Sequence, residues 1–158
     1  MLASFPVYVT AKVEYAVRAL VELAAAPQGE AVKSIAIARA QDMPKKFLEN
    51  ILAELRTAGF VITLRGAGGG SLLARDPGDI TLAEVFRALE GPLAAVRGVR
   101  PEHLKYTGAA RPLADVWIAV RASLRQVLEH VTLADIVEGR QPAVVRRLIA
   151  QPGSRAAR

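Results

Sequence analysis

The sequence predicts a mainly α-helical protein with one small β-hairpin: a winged helix-turn-helix domain followed by a long C-terminal dimerisation helix. Three observations predict it. Residues 34–73 read as helix, tight turn, helix, short strand, glycine-rich loop and return strand. The second of those helices has one apolar and one polar face. A long apolar stripe then recurs at threes and fours after the small domain is complete.

The 158 residues suit one compact domain with an appendage, and 52% hydrophobic content supplies its core. Aromatics are only 5%, so the core is aliphatic and the alanine-rich segments favour helix. The absence of cysteine excludes disulfides, thiolate zinc sites and cysteine-ligated iron–sulfur clusters, so no cofactor is expected. Arg18 and Glu22 interrupt the best apolar run, which leaves no membrane span of about 18 residues. The first ten residues lack the charged front end and apolar run of a signal peptide, so a cytoplasmic location is expected. The net charge is +6, but five arginines and no acid follow Glu138, leaving +1 on residues 1–138. A case for a polyanionic partner therefore rests on where the charges sit, not on their total.

Taken in order, residues 1–9 read as an irregular leader. Val13, Ala16, Val17, Leu20, Val21 and Leu23 recur at helical spacing over residues 12–26, with Thr10 as cap and Pro27-Gln28-Gly29 as stop. A shorter helix over residues 33–40 turns Ile35, Ala36 and Ala38 inward and lacks a capping side chain at its start. Gln41-Asp42-Met43 make the turn. Pro44 suits the first turn of a third helix, which runs to Ala58 and ends at Gly59. Residues 60–64 form a strand, 65–70 the hairpin tip and 71–74 the return strand. Asp76-Pro77-Gly78-Asp79 is a turn, and Thr81-Leu-Ala-Glu84 is a capping box opening a helix that closes at Gly91-Pro92. Thr132-Leu-Ala-Asp135 repeats that device as a second helix start, not as an internal repeat. Residues 93–111 are linker-like. From residue 112 to about 131, Leu113, Val116, Trp117, Val120, Leu124, Val127, Leu128 and Val131 form a stripe that a second copy of the chain would cover. A short helix at residues 144–149 lies in an otherwise mobile basic tail.

The third helix carries the chemistry. At about 100° per residue, Phe47, Leu48, Ile51, Leu52 and Leu55 share one arc, while Lys46, Glu49, Asn50, Ala53, Arg56 and Thr57 share the other. A helix with one greasy face and one face of cations, an amide and a carboxylate suits a DNA major groove. Lys45 and Glu49 also make an i,i+4 pair on a solvated helix, which does not conflict with contact to DNA. A surface hairpin needs one or two glycines, whereas this one has Gly66, Gly68, Gly69 and Gly70 beside Arg65. A glycine-rich tip can approach a sugar–phosphate backbone, and Arg65 can enter the adjacent minor groove. The bland alternative is a small helical domain with a surface hairpin. The loop lacks the last glycine of a dinucleotide fingerprint and the Gly-Lys-Ser/Thr of a P-loop, and no serine, histidine and aspartate cluster as a triad. An enzyme is not expected.

Thr10-Ala-Lys12, Tyr15-Ala-Val-Arg18-Ala-Leu, Phe47-Leu-Glu49-Asn50-Ile-Leu, Leu55-Arg56, Gly59, Arg65-Gly-Ala-Gly-Gly-Gly70, Leu73-Ala74 and Ile80-Thr-Leu occur in that order. Over residues 9–138 this pattern resembles the Rrf-two family of bacterial winged-helix transcription regulators, the family of iron–sulfur and nitric-oxide sensors. The resemblance implies a homodimer on a near-palindromic operator, with the long helix as dimer element. It implies that Glu49 and Asn50 contact bases, that Lys46 is a further contact, that Arg65 is the wing arginine and that Gly66, Gly68, Gly69 and Gly70 form the wing turn. Two departures stand out. Ala67 replaces the usual wing proline, and residues 93–111 lack the three cysteines of cluster-binding members. Glu102 and His103 are the only donors there, and one histidine beside one carboxylate is ordinarily plain surface. His130, near the end of the long helix, suits a capping role. Tyr106 and Trp117 are candidates to line a small-molecule effector pocket, against the simpler alternative of packing in the dimer core.

The domains expected are a DNA-binding domain over residues 9–91, a linker or sensor loop over 92–111, a dimerisation region over 112–138 and a basic tail over 139–158. The function expected is a homodimeric, sequence-specific repressor that binds double-stranded DNA, with no membrane partner. Its DNA-binding residues would be Lys45, Lys46, Glu49, Asn50, Arg56, Arg65 and the four wing glycines. Its dimer contacts would be Leu113, Val116, Trp117, Val120, Leu124, Val127 and Val131. The rival is a protein-interaction or adaptor module on the same scaffold without DNA binding, its arginine-rich tail meeting an acidic partner or a membrane surface.

Overall fold

Helix α1 (Ala11–Ala25) is the element on which the N-terminal half is assembled, in a computed structural model that describes residues 9–157. The expected leader, apart from Val9, lies outside the described residues. Thr10 caps α1, its hydroxyl accepting from the Val13 amide at 3.3 Å. Val13, Ala16, Ala19, Leu20 and Leu23 are buried along α1. The two buried alanines keep that face thin, so several other elements can pack directly on it.

Helices α2 (Ser34–Gln41) and α3 (Lys45–Thr57) follow. The corner between them is set by Asp42, in the left-handed region at φ 50°, and by the Met43 amide donating back to the Ala38 carbonyl at 2.9 Å. Pro44 caps α3 from one residue outside instead of sitting in its first turn. The inward face of α2 differs from the expectation. Ile37 and Ala38 are buried, whereas Ile35 and Ala36 are exposed. Eight residues give a weak periodic signal, and the phase is set by what α2 packs against. The phase of α3 is as expected, with Leu48, Ile51, Leu52 and Leu55 buried. Gly59 closes it at φ 86°: its amide bonds the Arg56 carbonyl and the Phe60 amide bonds that of Leu55, the paired bonds of a Schellman cap.

Strands β1 (Val61–Leu64) and β2 (Gly70–Leu73) pair antiparallel, with Val61 opposite Leu73 and Leu64 opposite Gly70. Val32, just before α2, adds a further rung on the other edge of β2 by exchanging two 2.8 Å bonds with Ser71. The hairpin is thereby tied to the start of α2 as well as to the end of α3.

Helix α4 (Leu82–Glu90) starts with the expected Thr81–Glu84 capping box, and α6 (Leu133–Val137) with the matching Thr132–Asp135 box. The fold brings the two starts side by side: Leu82 donates to the Val131 carbonyl and Leu133 to that of Ile80, each at 3.0 Å. This junction joins the N-terminal half to the end of the long helix α5 (Leu113–Leu128). Glu129 braces it, accepting from Arg87 on α4 and from Arg125 on α5. Those two guanidiniums, Arg125 first, hold its carboxyl down at about 2. Between α4 and α5 the linker-like stretch has local order, with 3₁₀ turns at Pro101–His103 and Gly108–Ala110. Beyond Gly139, α7 (Ala143–Ile149) lies against α5.

Candidate nucleic-acid interface

Burying its leucines leaves α3 with Lys45, Lys46, Glu49, Asn50, Arg56 and Thr57 on an exposed edge. Lys45 and Glu49 form the expected i,i+4 ion pair at 3.5 Å, half-exposed and therefore worth little to stability. Lys46, Asn50, Arg56 and the hairpin's Arg65 make no side-chain hydrogen bond or ion pair among the described residues. Several cations elsewhere on the N-terminal half are paired. Lys12 pairs with Glu54 at 3.2 Å, Arg18 with Glu14 and Arg75 with Glu84 at 3.1 Å each, and Arg87 with Glu129. Lys46, Arg56 and the Asn50 amide on one helix edge, and Arg65 on the hairpin, are thus left facing solvent.

The wing glycines divide by cause. Gly66 sits at φ 98°, where a side chain is strained but space is open. A Cβ on Gly69 would lie 2.8 Å from the Gly66 carbonyl oxygen and closer still to that of Leu64. On Gly70 it would strike the Val32 carbonyl group, its carbon at 2.6 Å. Gly68 has neither restriction: nothing lies within 4 Å and its φ is ordinary. Gly69 is buried, and its missing side chain is needed to close the hairpin. Gly70 is shaped the same way, by the crossing of Val32.

Lys33 joins this surface without having been among the expected residues. Exposed at the start of α2, it is held at the base of the wing by the Val32–Ser71 bonds. Only a lone β-branched residue ahead of an uncapped helix hinted at that rung.

Comparison with known proteins fits this geometry. The family model Rrf2, described as "Iron-dependent Transcriptional regulator", matches residues 9–139. The chain belongs to the Rrf2 family. A candidate HTH-type transcriptional regulator of Mycobacterium tuberculosis (Rv1287) is 48% identical over 139 residues, covering 88% of this chain and 86% of that protein. The solved structure of CymR, the global cysteine regulator of B. subtilis, superposes with a TM-score of 0.72 at 29% identity, over 86% of this chain and all of that one. IscR of T. potens superposes with a TM-score of 0.69 at 33% identity, over 92% and 93% of the two chains. This Rrf2 protein is a DNA-binding regulator of transcription on a winged-helix fold and not an enzyme. Among the described residues, no helix is long and apolar enough to cross a membrane.

The long helix of this Rrf2 member is incompletely covered by its own chain. None of α5 is fully buried: Leu113, Trp117, Val120, Leu124 and Val127 are half-buried and Val116 is exposed. Val131 departs from the expected dimer set. It is buried in its own protomer and its carbonyl accepts from Leu82, so it belongs to the α4–α6 junction and is closed to a partner.

Residues 92–111 do not fit a cysteine-ligated cluster. The chain has no cysteine, and the described residues contain no group of three His, Asp or Glu able to hold a metal. Glu102 is committed to an ion pair with Arg121 on α5, which holds its carboxyl below the usual range. Tyr106 accepts a 3.0 Å bond from the Trp117 indole, so the two rings expected to line a pocket are joined to each other. His130 lies at the end of α5 with Nδ1 3.0 Å from the Gln126 carbonyl oxygen.

Proposed function

We propose that this regulator acts as a cytoplasmic homodimeric repressor on a near-palindromic operator. Each protomer lays α3 in a major groove, with half-sites about 34 Å apart. Glu49 and Asn50 read bases: the amide can bond adenine bidentately and the carboxylate can accept from a cytosine amine. Lys45, Lys46 and Arg56 hold phosphates, and Arg65 reaches the minor groove as Gly66 and Gly68 let the wing backbone approach the strand. Lys33, at the wing's base, adds a further phosphate contact. The second copy covers the half-buried stripe of α5, from Leu113 through Trp117 and Leu124 to Val127. No cluster takes part in this reading, so any signal acts by another route, with the Tyr106–Trp117 contact as the place for a small-molecule effector to enter.

The observation that carries the reading is that Lys46, Asn50 and Arg56 on α3 and the wing's Arg65 are exposed and have no side-chain partner among the described residues, although Arg18, Arg75 and Arg87 on the same domain are paired. Selection of bound sequences from a random duplex pool tests it. A palindrome of two half-sites one duplex turn apart is expected. A single unpaired site would overturn the dimeric arrangement, and no enrichment at all would overturn base reading by α3.

A further inference from the structure

We infer that the C-terminal arm, residues 139–158, is a second DNA-binding surface that grips the phosphate backbone without reading sequence. This rests on the DNA-binding reading above and extends it to a segment outside the family match, which ends at residue 139. The arm carries five arginines and no acid, nearly the whole net charge of the chain.

Its first arginine has a different task. Arg140 lies 2.9 Å from Glu138 and 3.4 Å from Asp135, anchoring the arm to the end of α6. Beyond that anchor, Arg146, Arg147 and Arg155 are exposed and have no acidic partner among the described residues. Arg146 bonds only the Gln141 carbonyl. Arg146 and Arg147 are not carried on a loose tail. Helix α7 lies against α5, with Val144, Val145 and Leu148 half-buried and Arg146 and Arg147 turned outward. Concentrated, uncompensated guanidinium charge on a docked element suits a polyanion with closely spaced phosphates. An anionic membrane is the weaker match. A surface-binding helix inserts an apolar face, and here most of that face is already turned toward the protein, leaving Ile149 as the exposed apolar side chain of α7.

The test uses the full chain and a triple variant, Arg146→Gln, Arg147→Gln and Arg155→Gln. Affinity is measured across a salt series for the selected operator and for a scrambled duplex of equal length. The slope of log affinity against log salt should become shallower by about 2.7 per protomer on both duplexes, at about 0.9 for each of the three phosphates no longer neutralised. Both affinities should fall roughly 10- to 100-fold near 0.1 M salt, with their ratio unchanged. The corresponding triple lysine variant should restore the slope; restored charge with an unrestored slope would overturn the inference. An unchanged slope in the glutamine variant would also overturn it, while leaving the regulator reading intact. A changed operator-to-scrambled ratio would assign the arm a sequence-reading role and overturn it likewise. Tighter binding of the parent chain to phosphatidylserine vesicles than to the scrambled duplex would favour the membrane and sink the proposal. If the parent chain binds the two duplexes equally, the regulator reading fails first.

Discussion

Gly69→Ala and Gly68→Ala, one residue apart in the wing, should have opposite consequences. At Gly69 the added methyl would sit 2.8 Å from the Gly66 carbonyl oxygen and closer to that of Leu64. Both obstacles are backbone, so no side chain can rotate away; the turn has to open. Opening it breaks the 3.0 Å bond from the Gly69 amide to the Gly66 carbonyl and loosens the Leu64–Gly70 pair that ends the sheet. Overpacking of this kind costs about 1–3 kcal/mol, and an exposed tip that can yield belongs at the lower half of that range. For a chain of this length the melting temperature should fall by roughly 2–6 °C. At Gly68 the methyl meets nothing within 4 Å and φ is ordinary, so stability should stay within about 0.5 kcal/mol. Gly68→Ala should nevertheless weaken DNA binding, because that Cβ would occupy space the strand is proposed to approach. Thermal unfolding by circular dichroism and fluorescence anisotropy on a labelled duplex measure the two effects. An unshifted melting temperature in Gly69→Ala would refute the steric argument. Full DNA affinity in Gly68→Ala would remove that residue from the contact surface.

The other outcomes concern base reading, assembly and acid stability. Asn50→Ala should reduce the preference for operator over scrambled duplex by about 1–3 kcal/mol, whereas Lys46→Ala should weaken both and flatten the salt slope by about 0.9; an unchanged preference in Asn50→Ala, measured by competition binding, would remove its base-reading role. Leu124→Asp places a charge on the open stripe of α5 and should yield monomers in sedimentation with operator affinity largely lost, while a stable dimer would move the interface elsewhere. Glu129 has its folded-state pKa lowered to about 2 by Arg125 and Arg87, so its stabilisation is complete above the ordinary carboxylate range and is lost as pH falls from about 4.5 toward 2. Glu129→Gln should therefore lower the melting temperature at pH 7 by a few degrees, for a partly exposed network worth about 1 kcal/mol, and the gap from the parent chain should shrink below about pH 4.5 and close as pH approaches about 2. A gap that persists at pH 2 would mean the loss is one of packing and not of charge.

What the chain determined by itself is what neighbouring residues decide among themselves. The phase of α3 follows from Leu48, Ile51 and Leu55 recurring at threes and fours. The starts of α4 and α6 follow from Thr81 with Glu84 and Thr132 with Asp135, and the end of α3 from Gly59. Each of these interactions is between near neighbours in the chain, so its geometry is written in the spacing. The exposed polar edge of α3 was legible for the same reason: it is what remains of the helix once its apolar arc is assigned.

Tertiary structure alone decided where distant segments meet. Val32 crossing Ser71 brings Lys33 to the wing and gives Gly70 its steric reason. Val131 meeting Leu82 buries that side chain at the α4–α6 junction, and Arg121 reaching Glu102 binds the linker to α5. Ile37 replaces Ile35 in the core because two helical turns carry too little periodicity to set their own phase against the rest of the fold. Which cations remain free is also a tertiary outcome. Arg87 and Arg121 look no different in sequence from Arg56 and Arg65, and only the folding of acids from far along the chain against the first pair leaves the second available to a phosphate backbone.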